Sequence, residues 1–191
     1  MSRLPWFKRA LRAMALAITL MACGVSACMA DDQSQDLEYQ VKAAFLFKFL
    51  NFIQWPPRGF ERPDSPLVIG VIGADLMAAD LAALVADRNA NGHPITTRKV
   101  QAGESLQGLH MLFVGRAHSS RVPALLDAVK GGALLIVTES DEAFALGSAI
   151  NFVVVDNKVR FDVSLRAAEK YDLKISSRLL AVARLVVPSP S

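Results

Sequence analysis

The chain has 191 residues, 52% of them apolar, with 21 Lys+Arg against 18 Asp+Glu and a formal net charge of +3. Four of the basic side chains (Arg3, Lys8, Arg9 and Arg12) and no acidic one precede Asp31, so the remainder carries 17 against 18, a net of −1. That balance removes the clustered cationic footprint a nucleic-acid partner needs, and with Cys23 and Cys28 both before Asp31 the rest of the chain has neither thiol catalysis nor cysteine metal sites.

The first 30 residues combine a basic start with an uncharged stretch, Ala13 to Ala30, that ends in Val25-Ser-Ala-Cys-Met-Ala30. A charged n-region, an apolar h-region and small residues at the cleavage zone make a secretory signal. Cleavage after Ala30 and lipoprotein processing before Cys28, which would make Cys28 a lipid-attachment site, both fit. An uncleaved anchor fits less well, because the stretch is rich in small residues and barely long enough to span a bilayer. The chain is therefore read as exported to the periplasm. Residues 31–36 are polar and read as a tether, and 37–187 as one domain.

From Leu37 the run through Ile53 holds no Gly or Pro and predicts a helix, stopped by Trp55-Pro56-Pro57. Phe45, Leu46, Phe47, Phe49, Leu50, Phe52 and Ile53 point in nearly every direction, leaving Lys42, Lys48 and Asn51 as a narrow polar strip. A helix of this kind is either core or covered by a partner. Phe45, Lys48, Phe49, Phe52 and Trp55 are the candidate dimer or partner surface, with Trp55 read alternatively as a core plug.

Leu67 to Gly73 is a continuous apolar run, as in a strand buried on both faces, and a helix over Asp75 to Arg88 follows. Asn91-Gly92 marks a turn and Ile95 to Gln101 a second strand. Met111 to Gly115 is a third, with a helix from Arg121 to Lys130 ended by Gly131-Gly132. Ala133 to Thr138 is a fourth strand. Asp141 to Leu146 predicts a short helix capped by Thr138 or Ser140. Ile150 to Val155 and Lys158 to Val163 predict a β-hairpin on Asp156-Asn157, and helices over Leu165 to Tyr171 and Ser177 to Val187 close the chain.

Strand and helix alternating from Leu67 to Thr138 predict parallel βαβ units. The fold class is α/β: a three-layer, Rossmann-like, mostly parallel sheet with an antiparallel edge hairpin and helices on both faces. Gly70-Val-Ile-Gly73 lacks the third glycine of a dinucleotide fingerprint, and no phosphate loop or nucleophile elbow is present. The three histidines, His93, His110 and His118, have no metal or triad spacing. No catalytic residue, cofactor or metal ligand is assigned, and the chain is read as a non-enzyme. Ligands of open α/β sheets sit outside the carboxyl ends of the strands, which makes Gly73, Asp75, Arg116, His118 and Ser140 a candidate crevice.

Phe47-Lys-Phe-Leu-Asn-Phe-Ile-Gln-Trp-Pro56, the Leu67 to Gly73 strand, His110-Met-Leu-Phe-Val114, Phe144 to Phe152 and Val159-Arg-Phe-Asp-Val-Ser-Leu165 resemble, in order and spacing, the YfiR family of bacterial periplasmic proteins. The resemblance implies a non-enzymatic regulator, often dimeric, that binds the sensor part of an inner-membrane diguanylate cyclase and holds down cyclic-di-GMP output and biofilm formation. A histidine kinase is the other class of partner considered. The alternative function is a periplasmic small-molecule-binding module feeding a sensor kinase or transporter. The chain departs from better-known members at Leu109 and Ser148, in segments where they carry cysteine or a Gly-Gly pair, and at Ser164, where Asn is frequent.

Overall fold

The computed structural model describes residues 35–129 and 132–189. The signal read over 1–30, Cys28 within it, and the start of the tether lie outside the described residues, as does Gly131. Gln35 and Asp36, read as tether, are already helical, and α1 covers 35–49. It stops earlier than the sequence suggests because Ile53–Gln54 (β1) pairs antiparallel with β9, Lys174–Ile175.

The remaining elements alternate. They are β2 (Leu67–Ile72), α2 (Asp75–Val85), β3 (Asn89–Ala90), β4 (His93–Lys99), β5 (Met111–Val114), α3 (Val122–Ala128), β6 (Leu135–Thr138) and α4 (Asp141–Ala145). The hairpin β7 (Ile150–Val155) and β8 (Lys158–Ser164) follows, then α5 (Leu165–Glu169), α6 (Ser177–Leu180) and β10 (Leu185–Val187). Short 3-10 turns occupy Pro57–Gly59 and Arg116–Arg121.

The main sheet has eight strands in the order β10-β8-β7-β6-β5-β2-β4-β3. β4, β2, β5, β6 and β7 run parallel; β8 runs antiparallel to β7, and β3 to β4. Every residue of β5 and β6 is buried, which requires both faces of the sheet to be covered. This is the Rossmann-like α/β architecture expected.

Local chemistry explains the punctuation. Asp156 and Asn157 take φ of 49° and 55°, the left-handed pair that a two-residue hairpin turn needs. Asn91 and Gly92 do the same between β3 and β4, at 51° and 85°; His93 is thus the first residue of β4. The Ser140, Ser164 and Ser176 hydroxyls accept N–H bonds from Ala143, Ala167 and Arg178 and cap α4, α5 and α6.

The C-terminal helix is corrected. Only Ser177–Leu180 is helical, and Leu185–Val187 is a strand parallel to the end of β8. Two bonds decide this: the Arg184 N–H donates to the Phe161 carbonyl, and the Arg184 guanidinium forks onto the buried Asp162 carboxylate, Nε donating to Oδ1 at 2.8 Å. β-Branched Val186 and Val187 and the following Pro188 suit an edge strand. The hairpin is therefore one strand in from the sheet edge.

Candidate functional site

The proposed partner helix is the first place where side chains and surface can be compared. Phe49 is fully buried and Trp55 nearly so, whereas Phe45 and Phe52 are half-buried and Lys48 is exposed. Phe49 stacks on Phe152 at 5.8 Å and meets Phe161 edge-on at 5.0 Å; Phe45 reaches the same two rings. The Trp55 Nε1–H donates to the His110 carbonyl at 2.9 Å. Phe49 is thus corrected to core, Trp55 is the core plug of its other reading, and Phe45, Lys48 and Phe52 are the members of that set with surface to offer.

The carboxyl ends of β2, β4 and β5 frame a crevice of about 630 Å³, with Gly73, Asp75, Lys99, Gln101 and His118 in its lining. Two glycines make it. A Cβ on Gly115 would lie 2.4 Å from the Gly73 carbonyl oxygen, and one on Gly73, at φ 73°, 2.3 Å from the His118 Nδ1. The strand ends can approach, and the imidazole can lie over the turn, only without those side chains. The His118 Nδ1 is buried without a hydrogen-bond partner among the described residues. Lys99 and Asp75 face each other at 3.3 Å but are well exposed, so their pairing contributes little.

Of the five crevice candidates the structure brings together Gly73, Asp75 and His118. The Ser140 hydroxyl is committed to capping α4. The Arg116 side chain is exposed, and its backbone N–H donates to Glu139 Oε1 at 2.8 Å. Glu139 also receives the Lys42 ammonium at 2.5 Å, a fully buried ion pair that ties α1 to the end of β6. Beside it Thr138, Ser148, Asn151 and Asp141 form a hydrogen-bonded chain across β6 and β7.

A second cleft, of about 730 Å³, opens between the β1–β9 ribbon and the β3–β4 turn; Phe52, Trp55, Phe60, His93, Lys174 and Ser176 contribute to its wall. Sequence reading missed it because its residues come from three distant stretches. The visible signals were Trp55 and His93. Phe60 is sandwiched between His93 at 4.3 Å and His110 at 4.6 Å. His110 Nδ1 accepts the Val68 N–H at 3.2 Å, so the neutral ring carries its proton on Nε2.

Burial lowers the His110 imidazole from 6.5 to about 4, with the Gly59 backbone opposing and His93 assisting. The unfolded chain therefore takes up this proton first as the pH falls below 6.5, so stability is lost between that value and about 4. The loss should total about 3 kcal/mol at most. His110→Asn, whose amide oxygen can still accept the Val68 N–H, should flatten the pH dependence of urea midpoints between pH 7 and 4. An unchanged slope in that variant would assign the acid sensitivity to other groups.

Among the described residues no three of His, Cys, Asp and Glu converge as a metal site, and no helix is long and apolar enough to cross a membrane. Architecture and side chains together define a small open-sheet α/β domain with much of its buried polar chemistry turned inward. The chain belongs to the YfiR/HmsC-like family, whose model matches residues 39–184. The family is known as periplasmic regulators of diguanylate cyclases. Among curated proteins no significant match is found.

Proposed function

We propose that this chain is a non-enzymatic regulator, exported to the periplasm, that binds the periplasmic sensor part of an inner-membrane signalling protein and inhibits or modulates it. A diguanylate cyclase is the partner proposed. The observation that carries the reading is the family match over residues 39–184. Differential affinity for two states of the sensor is the mechanism: a preference of a few kcal/mol for one state converts into a large change in output. The half-buried and exposed Phe45 and Lys48 of the first helix, with half-buried Phe52 in the turn that follows it, are one surface for this contact, in a homodimer or with the sensor.

Deleting the chain should raise cellular cyclic-di-GMP, restoring it should reverse the rise, and the tagged protein should bring down a cyclase from detergent-solubilised envelopes. Unchanged cyclic-di-GMP together with no cyclase among the captured proteins would overturn the reading. Capture of a sensor kinase or transporter, with unchanged cyclic-di-GMP, would favour a small-molecule-binding module using the Gly73–His118 crevice.

A further inference from the structure

We propose that the outer edge of β8, continued by β10, is the docking strip for an extended, acidic segment of the protein partner, which joins the sheet as an added strand. This rests on the regulatory reading above and supplies its contact surface.

The register fixes which backbone groups face outward. The Ser164 N–H donates to the Ala149 carbonyl at 2.8 Å, so in the antiparallel ladder the pairs 151/162, 153/160 and 155/158 exchange bonds between β7 and β8. Val159, Phe161 and Val163 then turn their backbone N–H and C=O away from β7. β10 runs beside Asp162, Val163 and Ser164, and the Phe161 carbonyl accepts from Arg184. Among the described residues the Val159 N–H and C=O and the Phe161 N–H have no strand beside them, and on β10 the same alternation turns Val186 outward. The opposite edge is closed differently: β3 is two residues long, and Arg98 donates to the Ser105 carbonyl at 2.6 Å, tying down the loop after β4. An open edge is a template for strand addition.

Side chains state the chemistry of the occupant. Lys158 and Arg160 lie on one face of this edge, both exposed, and neither is in an ion pair among the described residues. Asp162, next on that face, is taken up by Arg184. By register Val155 and Leu185 lie on the same face as these cations and Val154 on the opposite face with Val159 and Phe161, and the three are each between 40% and 47% exposed. A second copy of the chain fits poorly. Antiparallel pairing of two β8 edges about Arg160 sets arginine against arginine, and like charges directly opposite are destabilising. A strand alternating carboxylates with apolar residues meets the cations on one face and extends the apolar row on the other.

The test uses the full chain and a labelled, acetylated heptapeptide alternating valine and glutamate, with a valine/lysine counterpart and a version N-methylated on the amides of one edge. The acidic peptide should bind and slow hydrogen exchange at the Val159 and Phe161 amides, while the lysine peptide and the N-methylated peptide should not. Lys158→Glu/Arg160→Glu, which changes two exposed side chains, should weaken the acidic peptide about tenfold. No binding, equal binding of both charges, or protection confined to other amides would overturn the proposal. In cells, normal regulation by the folded charge-reversed chain, with cyclic-di-GMP still rising on deletion, removes the edge assignment and leaves the regulatory reading intact. No rise on deletion together with no cyclase among the captured proteins removes the regulatory reading, whatever the peptides do.

Discussion

Phe49→Ala is expected to lower the free energy of unfolding by about 3–5 kcal/mol, the range for deleting a buried aromatic ring. The ring is fully buried where α1 meets the hairpin, stacked on Phe152 and edge-on to Phe161, with Phe45 at 5.9 Å completing the cluster. Those neighbours belong to different elements fixed by their own hydrogen bonds, so the space cannot collapse cheaply and a cavity term adds to the lost transfer energy. Urea denaturation should show the midpoint falling at an unchanged slope. Phe52→Ala, at a half-buried position, should cost markedly less. Equal and small losses for the two variants would contradict the packing described. One consequence concerns assays: a polar residue at Phe49 or Trp55 that abolishes regulation reports unfolding, and a surface test belongs at Lys48 or on the β8 edge.

Which parts of the fold were legible follows from how local their causes are. The Leu67 to Gly73 run, the Asp156-Asn157 turn and the Ser140 cap each carry their reason within a few residues, and each appears as expected. Residues 181–187 do not. Ala181-Val-Ala-Arg-Leu-Val-Val187 suits a buried helix or strand equally, and the choice is made by Asp162 and the Phe161 carbonyl, contacts made more than 20 residues upstream. β1 and β9, two residues each, are too short for any periodicity. The strand-end crevice was half legible for the same reason. Strand order placed Gly73, Asp75 and His118 together, but the cap that claims Ser140 and the Glu139 bond to the Arg116 backbone are tertiary choices. Lys42 was read as part of a polar strip with Lys48 and Asn51. In the fold it points inward to a carboxylate 97 residues away, a pairing no local pattern announces.

That pair yields the other large effect. Lys42→Met should destabilise by about 3–5 kcal/mol, because removing one partner leaves the Glu139 charge uncompensated in a dry site. Both side chains are at most 3% exposed, so water cannot take the place of the ammonium. Adding Glu139→Leu should recover most of the loss. The double variant forgoes the Arg116 N–H bond to Glu139, worth about 1 kcal/mol, but buries no charge. A double-mutant cycle by urea denaturation would measure the coupling directly. Single substitutions that cost no more than surface changes would show that the charges are solvated. A double variant as unstable as the single ones would show that Lys42 and Glu139 matter separately. The pair also joins α1, whose exposed residues face outward, to the Arg116–Arg121 turn beside the strand-end crevice. If the cycle gives strong coupling, the double variant becomes the means to ask whether that link transmits anything. A chain that is stable yet no longer regulates would place the ion pair in the mechanism, and one that regulates normally would confine it to folding specificity.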